Sequence, residues 1–126
     1  MSKILLVEDE ELNRTLVKAV LARAKEPGVR DAEVIDAISL AAARGHLAAE
    51  TIDLILLDMN LPDGNGLTLA RELSSAGAPR PTVVAVTASV LPQDRAAAID
   101  AGCDDFLDKP YAAADLIATV ARHLAT

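Results

Sequence analysis

The sequence predicts an α/β domain: a doubly wound, five-stranded parallel sheet with helices on both faces. Three observations carry this reading. Short aliphatic runs alternate with longer segments whose apolar residues recur at three- and four-residue intervals, strand then helix, five times in order. Two of the runs, Leu54-Ile55-Leu56-Leu57 and Thr82-Val83-Val84-Ala85-Val86, carry almost no polar side chain, as strands covered on both faces must be. Right-handed crossovers between parallel strands then put helices on both sides of the sheet, giving three layers.

The first strand is Ile4-Leu5-Leu6-Val7, which ends in Glu8-Asp9. Leu12, Leu16, Val17, Val20, Leu21 and Ala24 follow as one apolar helix face, and Pro27-Gly28 is expected to end that helix. Glu33-Val34-Ile35-Asp36 is a short, more polar strand, suited to a sheet edge. Ile38 to Leu47 is an alanine-rich helix weakened at its end by Gly45. The wholly apolar third strand ends at Asp58, and the turn-rich Pro62-Asp63-Gly64-Asn65-Gly66 leads into a helix with Leu67, Ala70 and Leu73 on one face. Gly77, Pro79 and Pro81 stop it. The fourth strand ends at Thr87-Ala88-Ser89, and Pro92 opens a helix that ends near Gly102. Asp105-Phe106-Leu107-Asp108 is the fifth strand, ending at Lys109-Pro110; the last helix buries Leu116, Ile117, Val120 and Leu124.

At 126 residues the chain reads as one domain, 1–126, large enough to bury a core without disulfides or a structural metal. Phe106 and Tyr111 are its only aromatics, so the core is aliphatic. The formal charge is −7 with no basic cluster, which argues against nucleic acid and against an anionic membrane surface as partners. No apolar run is long enough to span a bilayer, no signal peptide opens the chain, and a single cysteine, Cys103, fits a reducing cytoplasm. Cys103 reads as a packing residue. His46 and His123 lie far apart in sequence, read as surface residues, and give no zinc spacing.

Open parallel sheets bind ligands at the carboxyl ends of their strands, near the reversal of strand order. Glu8 and Asp9, Asp58, Thr87 and Lys109 stand at those ends here, each interrupting an apolar run. Singly, such residues are ordinary solvated strand ends; jointly, three carboxylates, a hydroxyl and an ammonium converge on one crevice. Two like charges ~4 Å apart repel by roughly 4 kcal/mol at an effective dielectric of ~20, so the cluster calls for a cation. Lys109 offsets one charge. An all-oxygen donor set suits Mg²⁺ for the rest, since Mg²⁺ takes one or two carboxylates, keeps waters and accepts phosphate oxygens.

The runs ILLVEDE, LILLDMNLPDGNGL, VVAVTAS and AGCDDFLDKPY, in this order and at these spacings, resemble the receiver domain of two-component response regulators over essentially the whole chain. The resemblance implies a flavodoxin-like three-layer sandwich with strand order 2-1-3-4-5. It implies a signalling module of a phosphorelay rather than an enzyme. Asp58 would accept a phosphoryl group from a histidine kinase or histidine phosphotransfer protein. Asp9 would ligate Mg²⁺ directly, with Glu8 acting through water and Asn60 lending its backbone carbonyl beside Asp58. Lys109 would pair with Asp58 and then with phosphoryl oxygens, and Thr87 would donate its hydroxyl to one of them. Phe106 stands at the switch-aromatic position, without the hydroxyl of the tyrosine frequent there; a core role reads equally well. Tyr111 reads as packing, and a cis bond before Pro110 is expected as in relatives. A downstream protein would read the face of the fourth helix, fifth strand and fifth helix. The stretch from Ala24 to Ala32 is longer than in compact relatives, and the second helix lacks the Gly that often opens it. The chain ends soon after its fifth helix, which implies no output domain: a stand-alone receiver or relay intermediate, or a piece of a hybrid kinase or larger regulator. Glu11-Leu12-Asn13-Arg14 leans toward hybrid-kinase and relay receivers.

Three other functions meet contrary residues. A flavodoxin-type electron carrier needs a Ser/Thr/Gly-rich phosphate loop after the first strand, where this chain has Glu8-Asp9-Glu10-Glu11. A haloacid-dehalogenase-type phosphatase has a second Asp two residues after its nucleophile, where this chain has Asn60. A degenerate receiver lacks an acidic or Lys position, and all are present here.

Overall fold

Alternation along each strand sends successive side chains to opposite faces of the sheet, and both faces of this chain are apolar. A computed structural model describes residues 2–77, 80–87 and 91–124. Its main sheet is built from β1 (Lys3–Val7), β2 (Glu33–Ala37), β3 (Leu54–Asp58), β4 (Thr82–Thr87) and β5 (Asp105–Asp108). The strand order is β2-β1-β3-β4-β5 and every pair is parallel, as the resemblance implies. Helices α1 (Glu11–Ala22), α2 (Leu40–Ala49), α3 (Gly66–Ala76), α4 (Pro92–Asp100) and α5 (Ala113–Leu124) make the crossovers.

Two aliphatic cores result. Ile4, Leu6, Leu54, Leu56, Val84 and Val86 pack with Val17 and Leu21 of α1 and with Leu116 and Val120 of α5. Leu5, Val7, Ile55, Leu57, Val83 and Ala85 pack on the other face with Leu40, Ala43, Leu69, Ala70 and Ala98 from α2, α3 and α4. Fully burying one such Leu or Ile is worth about 1.5–3 kcal/mol, which fixes the three layers and the strand register. Edge strand β2 is the more polar one, with only Ala37 fully buried.

Several element boundaries differ from the sequence reading. Helix α1 stops at Ala22, not at Pro27; Pro27 instead opens a separate helical turn, Pro27–Arg30, where its missing N–H is harmless. The turn carries Val29 into the core and accounts for the long stretch from Ala24 to Ala32. Leu12 and Leu16, assigned to the buried face of α1, are 69% and 54% exposed, because the sheet covers only the Val17–Leu21 side. Helix α2 runs through Gly45 to Ala49 and starts at Leu40, with Ser39 Oγ accepting the Ala42 N–H. Gly77 ends α3 as expected, and Gly102 follows α4 with a positive φ. The Lys109–Pro110 bond is cis. His123 is half-buried, not a surface residue, with Nε2 2.8 Å from Asp105 Oδ2. Pro79, Ala88 and Ser89 lie outside the described residues.

Candidate functional site

The sheet order turns back between β1 and β3, so the residues that follow these two strands become neighbours at the carboxyl edge. Glu8 follows β1 and is 5% exposed; Asp58 closes β3 and is 7% exposed; Asp9 faces solvent beside them. Oxygens of these three carboxylates lie within 4.8 Å of one another. After β5 comes Lys109, whose Nζ is 3.5 Å from Glu8 Oε2 and 3.5 Å from Asp58 Oδ1. Its backbone N–H donates to Thr87 O at 2.8 Å, which ties the end of β4 to the same crevice.

Local hydrogen bonds hold the acidic groups. The Asn60 N–H donates to Asp58 Oδ1 at 3.3 Å, and the Glu10 N–H donates to Glu8 Oε1 at 3.1 Å. Arg14 Nη1, one turn into α1, donates to the Glu8 carbonyl at 3.0 Å. Gly66, the first residue of α3, passes so close to the acceptor strand that a Cβ there would stand 2.3 Å from the Asp58 carbonyl oxygen. The sequence reading singled out neither Arg14 nor Gly66 for the site. Only the crowding of turn residues around Gly66 hinted at a close approach.

Electrostatics make the cluster a cation site. Burial pushes the Glu8 carboxyl above its ordinary value, and the Asp58 charge adds to this against the opposing Glu10 N–H and Lys109. Burial alone would pull the Lys109 ammonium down, but Asp58 and Glu8 more than offset it and leave it above its ordinary value. Three carboxylates face this one ammonium, so two negative charges remain, and every donor is an oxygen. That set fits a hard divalent ion.

The remaining sequence-derived residues border the crevice. Thr87 is half-buried at the end of β4 and, with Asn60, Ala85, Arg95 and Phe106, lines a cavity of about 430 Å³. Phe106 sits on β5 opposite Ala85 and packs partly against the α2–α3–α4 core, so its packing role is real. The Arg95 guanidinium of α4 lies 5.3 Å from the Phe106 ring centroid and is ion-paired with Asp108. Tyr111 is half-buried and borders a groove of about 490 Å³ between α1 and α5, with Asn13, Leu16, Val20 and Leu116. Cys103 is buried and its thiol is pushed up to about 11, first by burial, which suits packing.

A buried acceptor carboxylate flanked by acidic oxygens and one lysine, at the carboxyl edge of a doubly wound sheet, defines a class: α/β modules that handle a phosphoryl group with a metal ion. The sequence profile of the response regulator receiver domain matches residues 4–121, and the chain belongs to that family. Phosphoryl acceptance on an aspartate is the general function of its members, which are signalling modules paired with histidine kinases. Among relatives, the chain is 38% identical to the KDP operon transcriptional regulatory protein KdpE of Escherichia coli over 100% of this chain and 54% of that protein. It is 38% identical to the two-component response regulator ORR41 of Oryza sativa over 87% of this chain and 84% of that protein. It is also 38% identical to the aerobic respiration control sensor protein ArcB of Escherichia coli, over 94% of this chain but 15% of that one. The chain thus spans about half of the first relative and a small part of the last. Among solved structures, a two-component response regulator from Clostridium difficile superposes with a TM-score of 0.86 at 27% identity, covering 98% of this chain and 96% of that one. The BeF3-activated receiver domain of RstA from Klebsiella pneumoniae gives 0.84 at 30% identity, over 99% of this chain and 100% of that one.

Proposed function

We propose that residues 1–126 act as one receiver domain that accepts a phosphoryl group on Asp58, with Mg²⁺, from a histidine kinase or histidine phosphotransfer protein. The observation that carries this is the placement of Asp58: buried, 3.5 Å from Lys109 Nζ, and within carboxylate reach of Glu8 and Asp9. An Asp58 oxygen attacks the phosphorus of a phosphohistidine; a P–O bond forms, the P–N bond breaks, and its electron pair leaves on the imidazole. Asp9, Asp58 and the Asn60 carbonyl would hold the Mg²⁺, with Glu8 behind them. When bound, the ion neutralises charge on the transferring group. Lys109 holds Asp58 in place before transfer and exchanges onto phosphoryl oxygens afterwards. Thr87 donates its hydroxyl to one of those oxygens. Asp9→Ala removes the exposed carboxylate and should abolish Mg²⁺ binding in an amide-shift titration. Unchanged affinity in that variant would reduce the acidic pair to a solvated strand end.

The downstream partner is a protein that reads the face of α4, β5 and α5. A net charge of −7 disfavours nucleic acid and anionic membrane as partners. No described helix is long and apolar enough to cross a membrane; we place the domain in the cytoplasm, where histidine kinases act. A phosphoryl group biases a conformational equilibrium only through contacts that differ between two states. Thr87 and Lys109 supply that difference. The cavity shared by Thr87 and Phe106 gives the ring somewhere to go, and Arg95 is the contact it leaves. Beryllofluoride with Mg²⁺ should therefore shift amides from Asp58 through Thr87, α4 and Asp105–Tyr111, and largely spare α1 beyond Val20. Thr87→Ala should keep Asp58 phosphorylation and shrink the distant shifts. A full response in that variant would refute this route.

A further inference from the structure

The turn after the acceptor strand ends on a different helix. Asp63, at its tip, accepts the Leu40 N–H on Oδ1 at 2.9 Å and the Ala41 N–H on Oδ2 at 3.0 Å. These N–H groups belong to the first turn of α2, where the helix itself offers them no acceptor, and they hold the Asp63 carboxyl below its ordinary value. The rest of the turn is a tight ribbon running back to the site. Asn60 pairs with Asn65 and Leu61 with Gly64 in a short antiparallel bridge. The Gly66 N–H donates to Met59 O at 3.0 Å, and the Asn60 N–H to Asp58 Oδ1 at 3.3 Å. At the tip the chain passes so near α2 that a Cβ on Gly64 would stand 3.1 Å from Leu40 Cδ1. The ribbon has one end on Asp58 and the other on α2, and Asp63 makes the second attachment.

We propose that Asp63 is a positioning residue for the metal-dependent reaction: by bonding the first turn of α2 it fixes the ribbon that presents Asn60 beside Asp58. This rests on the reading of the acidic cluster as a Mg²⁺ site. Mg²⁺ affinity then depends on a carboxylate that touches no metal ligand, as outer groups that orient ligands commonly do. The Leu40 and Ala41 amides also report metal occupancy, since any strain that the ion puts on Asn60 reaches them through Asp63.

The test is a Mg²⁺ titration of the full chain followed by amide shifts, with MgCl₂ alone as the ligand. Asp63→Ala should weaken binding about tenfold and silence the Mg²⁺-dependent shifts of Leu40 and Ala41. Asp63→Asn, with one acceptor oxygen in place of two, should fall between; it also stands in should the alanine variant fail to fold. Ser39→Ala is the control. It removes another cap from the same helix end, the Ser39 Oγ bond to the Ala42 N–H at 3.1 Å, without touching the ribbon. It should lower thermal stability and leave Mg²⁺ affinity at the wild-type value. Wild-type affinity in folded Asp63→Ala or Asp63→Asn, or equal weakening by Ser39→Ala, overturns the proposal while leaving the metal reading intact. No Mg²⁺ binding by the unaltered chain overturns the metal reading, and this one with it.

Discussion

Asp58→Asn should take up no phosphoryl group under conditions that fully label the unaltered chain. Acetyl phosphate with Mg²⁺ supplies the group, intact mass counts it, and hydroxylamine should remove it, as it cleaves an acyl phosphate. The amide has no anionic oxygen to attack phosphorus, and the neighbours do not replace it. Glu8 is buried against Lys109, and Asp9 lies on the solvent side, away from the lysine contact. The same variant should leave the metal-free fold as stable as before or more so, because Asp58 is one of three carboxylates within 4.8 Å. At an effective dielectric of ~20, each such contact opposes folding by roughly 3–4 kcal/mol before screening. Its pH dependence follows from Glu8, whose carboxyl sits above its ordinary value through burial and then the Asp58 charge. The folded chain holds that proton more tightly than the unfolded one, so stability is greatest below the titration and declines as pH rises through it. Removing the Asp58 charge should flatten that decline in metal-free melts between about pH 4 and 7, roughly the range above an unperturbed glutamate. Labelling that persists in Asp58→Asn would move the acceptor elsewhere.

The strands and the acidic cluster were legible because each rests on local pattern. Leu54 to Leu57 and Val83 to Val86 are apolar without a break, so both faces had to be covered, and they are. Glu8, Asp58 and Lys109 stood out as the first polar residues after such runs, and parallel connection alone brings those ends to one edge. What was not legible depends on partners remote in sequence. Periodicity places Leu12 and Leu16 on one side of a helix with Val20, but it does not say whether anything covers that side. Pro27 marks a helix boundary equally well as a stop or as a start, and the buried Val29 decided for a start. Asp63 reads as an ordinary turn residue until α2, 23 residues away, is found above it. His123 reads as solvated until Asp105 is seen beside it. Arg95 over Phe106 joins a helix to a strand across a gap that no spacing rule measures.

Gly66→Ala should be among the most damaging single-methyl changes available in this chain, although it alters no charge and no hydrogen-bonding side chain. The added carbon would stand 2.3 Å from the Asp58 carbonyl oxygen and 3.1 Å from both Leu57 Cγ and Met59 Cε. Met59 has a flexible end that could yield. The Asp58 carbonyl belongs to a fully buried strand and cannot move without shifting the acceptor itself. Relief must therefore come from displacing the start of α3, which breaks the Gly66 N–H bond to Met59 O and disturbs the Asn65 cap on Leu67. Overpacking of this kind costs about 1–3 kcal/mol, and a backbone contact belongs at the upper end. For a domain of this size that is a fall of about 10 °C in thermal midpoint. Phosphorylation should slow further than the loss of folded protein explains, because the displaced residues carry Asp58 and Asn60. Gly45→Ala supplies the opposite sign. Gly45 lies inside α2, and a Cβ added there would meet nothing within 4 Å, so helix propensity alone acts. That change should stabilise by about 0.5–1 kcal/mol and leave phosphorylation untouched. A thermal midpoint for Gly66→Ala close to that of the unaltered chain, with normal labelling of Asp58, would mean that α3 and β3 slide apart freely and that the acceptor is not held by its backbone.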